Sequence, residues 1–363
     1  MNNPRPAAVS SAAVVIPCTE LDSSIAFFEE RLGFRLESIF PADDPVVAVM
    51  AGHGLRLQLE VGHGAEPATL RLTCDDPAVL GATPDDQVLT APDGTRIELV
   101  RDESQATPPS APPTFSLSRL NADDAWITGR AGMRYRDLIP GRQGGRLIAS
   151  HISIPIGGPV PDYVHFHRVQ FQMIYCFKGW VRVVYEDQGD PFVMHPGDCV
   201  LQPPEIRHRV LECSAGLEVV EVTAPAAHPT FADHDLDLPN PGLNPERQFA
   251  GQRFLLHKEA DSQSVAPASA AFEVRDLGLL AATGGIAQVE VLRGRPSVGS
   301  DLGLQDADLR FVFVLNGELT IRRRGDEAED LRPGDALVLP EATDFDLGRG
   351  TDETELLVVS LLG

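Results

Sequence analysis

The chain has 363 residues, 43% of them hydrophobic, and a formal net charge of −23 at pH 7. This length predicts two or three domains, each with its own core, and the negative charge argues against nucleic acid or anionic membranes as partners. No apolar run approaches the ~18 residues of a membrane span, and the N-terminus lacks the basic-then-apolar pattern of a signal peptide. Five scattered cysteines without CxxC spacing add the expectation of a reduced, cytoplasmic protein.

The first hundred residues predict a strand, a helix and three further strands, followed by a shorter set of strands. In the segment TELDSSIAFFEERLGF, Asp22 or Ser23 can cap the start of the helix, and Gly33 can end it. The alternating segments VVAVMAG and LRLQLEVG follow as strands. His53 and His63 lie in Gly-rich turns, where we expect them to be solvated rather than bound to a metal.

The segments SSIAFFEERLGF and APDGTRIELV make residues 1–105 resemble the vicinal-oxygen-chelate module of glyoxalases and bleomycin-resistance proteins. The resemblance implies a βαβββ arrangement and places candidate metal ligands at Glu60 and Glu98. Ala13 stands where the family has its first-strand histidine, which leaves the ligand set incomplete. We therefore expect a structural, partner-binding or small-molecule-binding role for this module rather than catalysis. The Pro-rich segment 106–115, ATPPSAPPTF, predicts a linker after it.

Three histidines in the middle of the chain have the spacing of metal ligands. His165 and His167 are two residues apart, so both side chains leave the same face of a β-strand, and His208 follows in a second polar cluster. Imidazoles on one face can share an ion, and neutral imidazole suits Zn, Cu, Fe and Ni. The alternative is a solvated strand face that carries two histidines by chance.

The surrounding segments PDYVHFHRVQFQMIYCFKGW and HPGDCVLQPPEIRHRVLE resemble the two signature motifs of the cupin superfamily. The resemblance implies a jelly-roll barrel for residues 116–237. It also implies that His165, His167 and His208 are ligands of a divalent metal. Three identities depart from the motifs, namely Gln172 for a ligand glutamate, Glu205 for a turn glycine and Glu212 for an asparagine.

The departures have chemical consequences. The Gln172 amide is a neutral, weaker donor than a carboxylate, so a divalent ion would keep its full charge and would favour an anionic, chelating substrate. Gln172 would then bind the metal weakly or through a water, with Gln170 as a rival for the same role; the alternative is that Gln172 marks a lost site. Glu212 is a candidate general base, although hydrogen bonding to neighbouring strands is an equal alternative.

Strand parity predicts which side chains point into the barrel. The inward set comprises His165, His167, Gln172, Ile174, Cys176, His208, Val210 and Glu212. The outward set on the same central strand comprises Met173, Tyr175 and Phe177. Three imidazoles, an amide and a carboxylate among apolar residues would make a concave small-molecule site.

Residues 238–250 are rich in Pro and Asn, which predicts a second linker. After it, FVFVLNGELTIRRR and RPGDALVLPEATDF parallel the central motifs, so residues 251–363 resemble a second cupin. Other residues occupy its metal positions, namely Gly303, Gln305, Arg310 and Phe345. We expect a degenerate structural domain that buries sheet surface against the central barrel or a partner subunit.

The whole chain is thus expected to be mainly β, with two cupin jelly-roll barrels after an α+β module. The leading hypothesis is a non-haem Fe(II) dioxygenase that acts on a small chelating substrate such as a diketone, a phenol or an oxo acid, with Mn, Ni or Zn as other candidate metals. Lyase or isomerase chemistry on the same ligands is the first alternative, and a non-catalytic small-molecule-binding or sensing protein is the second. The resemblance also implies a homo-oligomer.

Overall fold

The computed structural model describes residues 9–52, 54–62, 69–74, 76–80, 83, 87–90, 96–101, 112–121, 126–262, 271–294, 296, 307–340, 345–351 and 353–362. The chain is mainly β and divides into two compact units. The first unit is Met1–Thr107 with Pro229–Asp233, and the second is Pro108–His228 with His234–Gly363. Among the described residues, no helix combines the length and the apolarity that crossing a membrane requires. The predicted positions His53, His63, Gly303 and Gln305 lie outside the described residues.

The N-terminal part of the first unit is one twisted sheet with a helix packed on it. Its elements are β1 Val9–Cys18, α1 Leu21–Leu32, β2 Arg35–Phe40, β3 Val47–Gly52, β4 Leu55–Val61, β5 Thr69–Cys74, β6 Val88–Thr90 and β7 Arg96–Arg101. The strand order is β2-β3-β4-β1-β5-β7-β6, with β1 parallel to β4 and antiparallel to β5. α1 packs against β2, β3 and β4, where Met50 and Leu59 are fully buried.

The structure confirms the predicted end of α1 but not its predicted start. Gly33 ends the helix as predicted, with a left-handed φ of 68° that lets its N–H reach back to the last turn. At the other end, neither Asp22 nor Ser23 is the N-cap, because the helix already begins after Glu20. The Ser23 hydroxyl instead donates to the Glu20 carbonyl oxygen at 3.1 Å.

The central part of the chain supplies two sheets that face each other. Its strands are β8 Ser116–Ser118, β9 Ile127–Thr128, β10 Arg134–Asp137, β11 Ile148–Ile154, β12 Gly158–Pro159, β13 His165–His167, β14 Phe171–Lys178, β15 Val181–Tyr185, β16 Phe192–Met194, β17 Cys199–Leu201, β18 His208–Cys213, β19 Leu217–Ala224 and β20 Thr230–Ala232. One sheet has the order β17-β14-β19-β11-β10-β9, and the other contains β16-β15-β18-β13 with β12 also paired to β18. The apolar side chains between them include Ile152, Val183 and Val219. β20 belongs to the first unit.

The C-terminal part repeats this two-sheet arrangement. Its elements are β21 Gln248–Phe249, β22 Gln252–Arg253, β23 Leu255–His257, β24 Phe272–Asp276, α2 Leu279–Ala282, β25 Ala287–Gly294, β26 Leu309–Asn316, β27 Leu319–Arg323, β28 Glu329–Leu331, β29 Ala336–Pro340, β30 Phe345–Gly350 and β31 Thr354–Leu361. One sheet runs β24-β25-β31-β26-β29 and the other β28-β27-β30. Its interior is apolar: Phe345, at the position that corresponds to His208, packs against a cluster that contains Val312 and Ile321.

The central and C-terminal sheets exchange edge strands. β8 lies at the start of the predicted central domain, yet it pairs with β29 of the C-terminal sheet, where Leu117 lies opposite Leu337. β23 follows the second predicted linker, yet it pairs with β17 of the central sheet, where Leu256 lies opposite Val200. Each predicted domain therefore has an edge strand that comes from the other side of a predicted boundary.

The outward face of β14 packs against the C-terminal sheet. Met173 and Tyr175 are buried, and both belong to a continuous apolar cluster with Phe311 and Phe313 of β26. Phe177 packs at its margin, with its ring centroid 5.2 Å from that of Phe313. The predicted outward set is therefore confirmed, and the C-terminal domain buries sheet surface against the central one.

Candidate metal centre

Two neighbouring strands bring the three predicted histidines together. β13 and β18 pair antiparallel with His165 opposite His208, and His167 lies two residues along β13 on the same face. All three side chains are buried, and one nitrogen from each lies within 4.8 Å of the others. The centroid of the His165 ring is 4.2 Å from that of His208 and 5.3 Å from that of His167. This is the only such cluster of potential metal ligands among the described residues.

Backbone carbonyls orient two of the imidazoles. His165 Nδ1 is 2.8 Å from the Tyr163 carbonyl oxygen, and His208 Nδ1 is 3.0 Å from that of Ile206. A carbonyl oxygen only accepts, so each Nδ1 carries the proton and each Nε2 offers a lone pair. His165 Nε2 is buried without a hydrogen-bond partner among the described residues. An orphaned buried acceptor of this kind fits a metal ligand.

The electrostatic environment keeps these imidazoles neutral. Burial lowers the pKa of His165 well below its ordinary value, and the positive charge of Arg130 adds to the effect. Burial likewise lowers the pKa of His208 to about 3. Since only neutral imidazole binds a metal, both side chains are ready to do so across the physiological pH range.

Asp162 links the two strands that carry the histidines. Its carboxylate is fully buried and accepts hydrogen bonds from the backbone N–H groups of Tyr163 and Val210, each at 2.9 Å. It also forms an ion pair with Arg130, and its Oδ1 is 3.7 Å from His165 Nδ1. Because these partners lie in three different segments, Asp162 fixes the spacing of β13 and β18 where the imidazoles meet.

Gln172 occupies the predicted inward position on β14 and is 1% exposed, whereas the side chain of its rival Gln170 is exposed. Its Nε2 donates to Oε1 of Glu221 at 3.3 Å. The hydroxyl of Thr223 also donates to this oxygen, at 3.4 Å. Glu221 points between the two sheets, because it shares the parity of Val219 on β19, which lies in the interior core.

Glu221 is not among the residues predicted from the sequence, although its position on β19 carries a signal. In LEVVEVTA, the glutamate at position 221 alternates with Val220 and Val222, which face the C-terminal domain. The same parity rule that was applied to β14 places this carboxylate inside the central domain.

Gln202 is a second polar residue beside the histidines that was not predicted from the sequence. Its Nε2 lies 2.9 Å from His208 Nε2, and its backbone N–H donates to the Gln172 carbonyl oxygen at 2.9 Å. Its Oε1 is buried and has no hydrogen-bond partner among the described residues. Since His208 Nε2 is an acceptor, the Gln202 amide N–H donates to it, and this hydrogen bond occupies the lone pair that would bind a metal. A metal at this site therefore requires Gln202 to turn.

A β-bulge separates Glu212 from the histidine face of β18. β15 pairs Val183 with Val210 and then Arg182 with Glu212, so Leu211 is an extra residue in β18. Paired residues point to the same side of a sheet, and Val183 and Arg182 point to opposite sides. The expectation that Glu212 points into the domain with the histidines is therefore wrong.

Glu212 forms a surface ion pair instead. Its Oε2 lies 3.2 Å from Arg182 Nη2, and the two side chains are 39% and 42% exposed. Cys213, which pairs with Val181, takes the buried position that parity had given to the glutamate. The structure brings the three predicted histidines together, places Gln172 at a buried inward position beside Glu221, and places Glu212 at the surface.

In the first unit, the two candidate carboxylate ligands have another partner. Glu60 and Glu98 both form ion pairs with Arg71, which lies on β5 opposite Ala13 of β1. Gln58 also donates to Glu60. A guanidinium thus occupies the place between these carboxylates where the resemblance implied a metal.

Comparison with known proteins adds one decisive observation. Residues 150–222 match the family model of the cupin domain. These residues are therefore similar to a cupin domain. The matched segment contains the histidine pair on β13, Gln172, the third histidine on β18 and most of β19.

Solved structures with a similar fold include variants of a bacterial enzyme. A serine-to-alanine variant of oxalate decarboxylase from Bacillus subtilis aligns with a TM-score of 0.51 and 11% identity, over 70% of this chain and 78% of that one. A deletion variant of that enzyme gives a TM-score of 0.50, with 11% identity and the same coverage. A protein of Pseudomonas aeruginosa named as glyoxylate-induced gives 0.48 at 11% identity, over 70% of this chain and 93% of that one. At 11% identity, the likeness to the two oxalate decarboxylase variants shows the fold alone, and the third alignment carries no argument. A search of curated proteins gave no match.

Proposed function

We propose that this protein is a metal-dependent cupin enzyme in which His165, His167 and His208 bind one divalent ion. The observation that carries the proposal is the convergence of three buried imidazoles, one of which has an orphaned Nε2. Gln172 is the proposed weak fourth ligand, directly or through a water. Glu212 has no part in this proposal, because it points away from the cluster.

The ion that we propose is Fe(II), which imidazole donors can bind, with Mn, Ni and Zn as the other candidates. When bound, the ion would act as a Lewis acid toward the substrate and, as Fe(II), would also support reaction with O₂. The protein residues hold the histidine Nδ1 protons on backbone carbonyls and keep the imidazoles neutral. They also exclude bulk water, because every imidazole is buried.

The proposed substrate is a small anion with two oxygen donors, such as a diketone enolate, a phenolate or an oxo acid. Two features support an anion. The ligand set of three imidazoles and an amide carries no negative charge, and the guanidinium of Arg130 lies close enough to lower the pKa of His165. We therefore propose dioxygenase chemistry as the leading reaction class.

Lyase or isomerase chemistry is the second candidate. The observation that favours it is Glu221, an interior carboxylate one hydrogen bond away from Gln172. A carboxylate in that position can accept a proton from a substrate without any change in the oxidation state of the ion. Consumption of O₂ with substrate turnover separates the two reaction classes.

The finer assignments are proposals as well. We propose that residues 1–105 form a vicinal-oxygen-chelate module, which is supported by the order β1-α1-β2-β3-β4, and that residues 116–237 and 251–363 form jelly-roll cupins. A cytoplasmic location, a homo-oligomeric state and linkers at 106–115 and 238–250 complete the proposal.

Metal analysis of the purified protein tests the proposed function. We expect close to one ion per chain after reconstitution with Fe(II), and a loss of that ion in His165→Ala and His208→Ala. His195→Ala is the matched control, because this exposed histidine lies in the same domain, outside the cluster. Protein that takes up no Fe, Mn, Ni or Zn, or that retains metal after both substitutions, would refute the proposal.

A further inference from the structure

A cavity lies at one edge of the central domain, outside the histidine cluster. Its volume is about 350 Å³, at the small end of the ligand-pocket range of about 300–1,000 Å³. It lies between the turn that joins β9 to β10 and the loop that joins β11 to β13. None of the three histidines lines it.

The walls of this cavity are apolar and conformationally restricted. Ile154, Ile156 and Val160 supply aliphatic surface, and three prolines of the loop stiffen one side. On the other side, Ala131 has a left-handed φ of 54°, which a residue with a Cβ rarely adopts. Ile156 is 85% exposed, so a large aliphatic side chain projects into solvent at the cavity. A ligand with an apolar body would cover it.

The cavity has one charged lining residue. Arg134 has no carboxylate partner among the described residues, in a chain whose net charge is −23. The Arg134 guanidinium lies over the ring of Trp126, with the guanidinium carbon 5.4 Å from the ring centroid. An exposed guanidinium that lies over an indole ring, without a carboxylate partner among the described residues and beside an apolar wall, suits a ligand with an anionic head.

We propose that this cavity is a separate binding site for a small amphipathic carboxylate. The carboxylate would pair with Arg134, and the apolar body would lie against Ile154 and Ile156. The site shares no side chain with the proposed metal centre, so its occupancy does not depend on a bound ion. It extends the proposed function rather than restating it.

The test uses the whole chain in metal-free form with three probes of matched length and one shorter probe. Hexanoate is titrated by isothermal calorimetry, and hexanamide, hexylamine and acetate serve as the neutral, cationic and short-chain comparisons. Because Trp126 contacts Arg134, its fluorescence provides a second readout. We expect saturable binding of hexanoate, and binding at least tenfold weaker for each of the other three.

Substitutions then locate the site. Arg134→Gln should weaken hexanoate binding about tenfold or more, because it removes the charge-assisted pair. Ile156→Ala should weaken it severalfold while it leaves the stacked arginine in place. Arg332→Gln is the matched control, since Arg332 is exposed and lies in the C-terminal domain. Circular dichroism and the unfolding midpoint verify that each variant folds.

Three outcomes would overturn the proposal. The first is the absence of saturable hexanoate binding at millimolar concentration in the folded protein. The second is equal binding of hexylamine or hexanamide, which would exclude an anion site. The third is unchanged affinity in Arg134→Gln and Ile156→Ala, which would place the bound probe elsewhere. Because all titrations omit metal, failure here leaves the metal proposal unaffected, and failure of metal uptake leaves this one unaffected.

Discussion

Asp162→Asn should destabilise the part of the fold that supports the candidate metal centre. The Asp162 carboxylate is 0% exposed and accepts from Arg130 and from two backbone N–H groups. An asparagine has only one side-chain oxygen, so at least one of these donors loses its acceptor. The 10% exposed guanidinium of Arg130 also loses its counter-charge.

Removal of one partner of a buried ion pair typically costs about 3–5 kcal/mol. Domains of this kind are stable by roughly 5–15 kcal/mol, so Asp162→Asn should lower the free energy of unfolding by a large fraction of its total. The double variant Arg130→Gln with Asp162→Asn should be less destabilised than the single variant, by about 1 kcal/mol or more, because no unpaired charge remains buried. Glu205→Gln is the control, since its pair with Arg168 is about half exposed and is worth less than about 1 kcal/mol.

Urea unfolding followed by circular dichroism measures all four proteins. Reconstitution with Fe(II) then shows whether the loss of the Asp162 carboxylate also weakens metal binding, as expected if it fixes the spacing of the two histidine strands. A single variant within about 1 kcal/mol of wild type would refute the reasoning. So would a double variant that is no more stable than Asp162→Asn.

Three further predictions concern pH, the amide ligand and the domain contact. The pKa of His208 is about 3 in the folded protein and 6.5 ordinarily, so on acidification the unfolded chain takes up a proton before the folded chain does. The unfolding free energy of the metal-free protein should therefore be unaffected by this group above pH 6.5 and should fall by up to about 5 kcal/mol as the pH drops toward 3. Urea unfolding at several pH values measures this loss. Gln172→Glu alone should gain little metal affinity, because the new carboxylate would lie beside that of Glu221. The double variant Gln172→Glu with Glu221→Gln should bind metal about tenfold tighter than the single variant in a chelator competition. Equal affinities of the two variants would contradict this prediction. Phe313→Ala should lower the unfolding free energy by about 3–5 kcal/mol, against less than about 0.5 kcal/mol for the exposed Glu329→Gln.

The parts of the site that follow from local spacing could be predicted from sequence. His165 and His167 share a face because side chains alternate along a strand, and the outward set of β14 follows from the same rule. Gln172 was placed correctly for that reason, and Glu221 could have been.

Features that depend on pairing between strands were not predictable in this way. The extra residue Leu211 reverses the parity of everything after it in β18, and no local signal in HRVLEC marks it. Gln202 was overlooked because its position follows from the pairing of β17 with β14. The exchanged strands β8 and β23 have three residues each, which is too short for periodicity to assign them to a sheet.

The exchange of β8 and β23 also sets an order of events during synthesis. The central sheet cannot be completed until residue 257 has left the ribosome, well past the second predicted linker. β8 must wait longer, because its partner in β29 begins only at Ala336. A chain cut at the linker would leave both halves with an open sheet edge, and such edges promote aggregation. We therefore expect the central and C-terminal domains to fold as one unit, so that neither is stable when expressed alone, although each half has a core of its own.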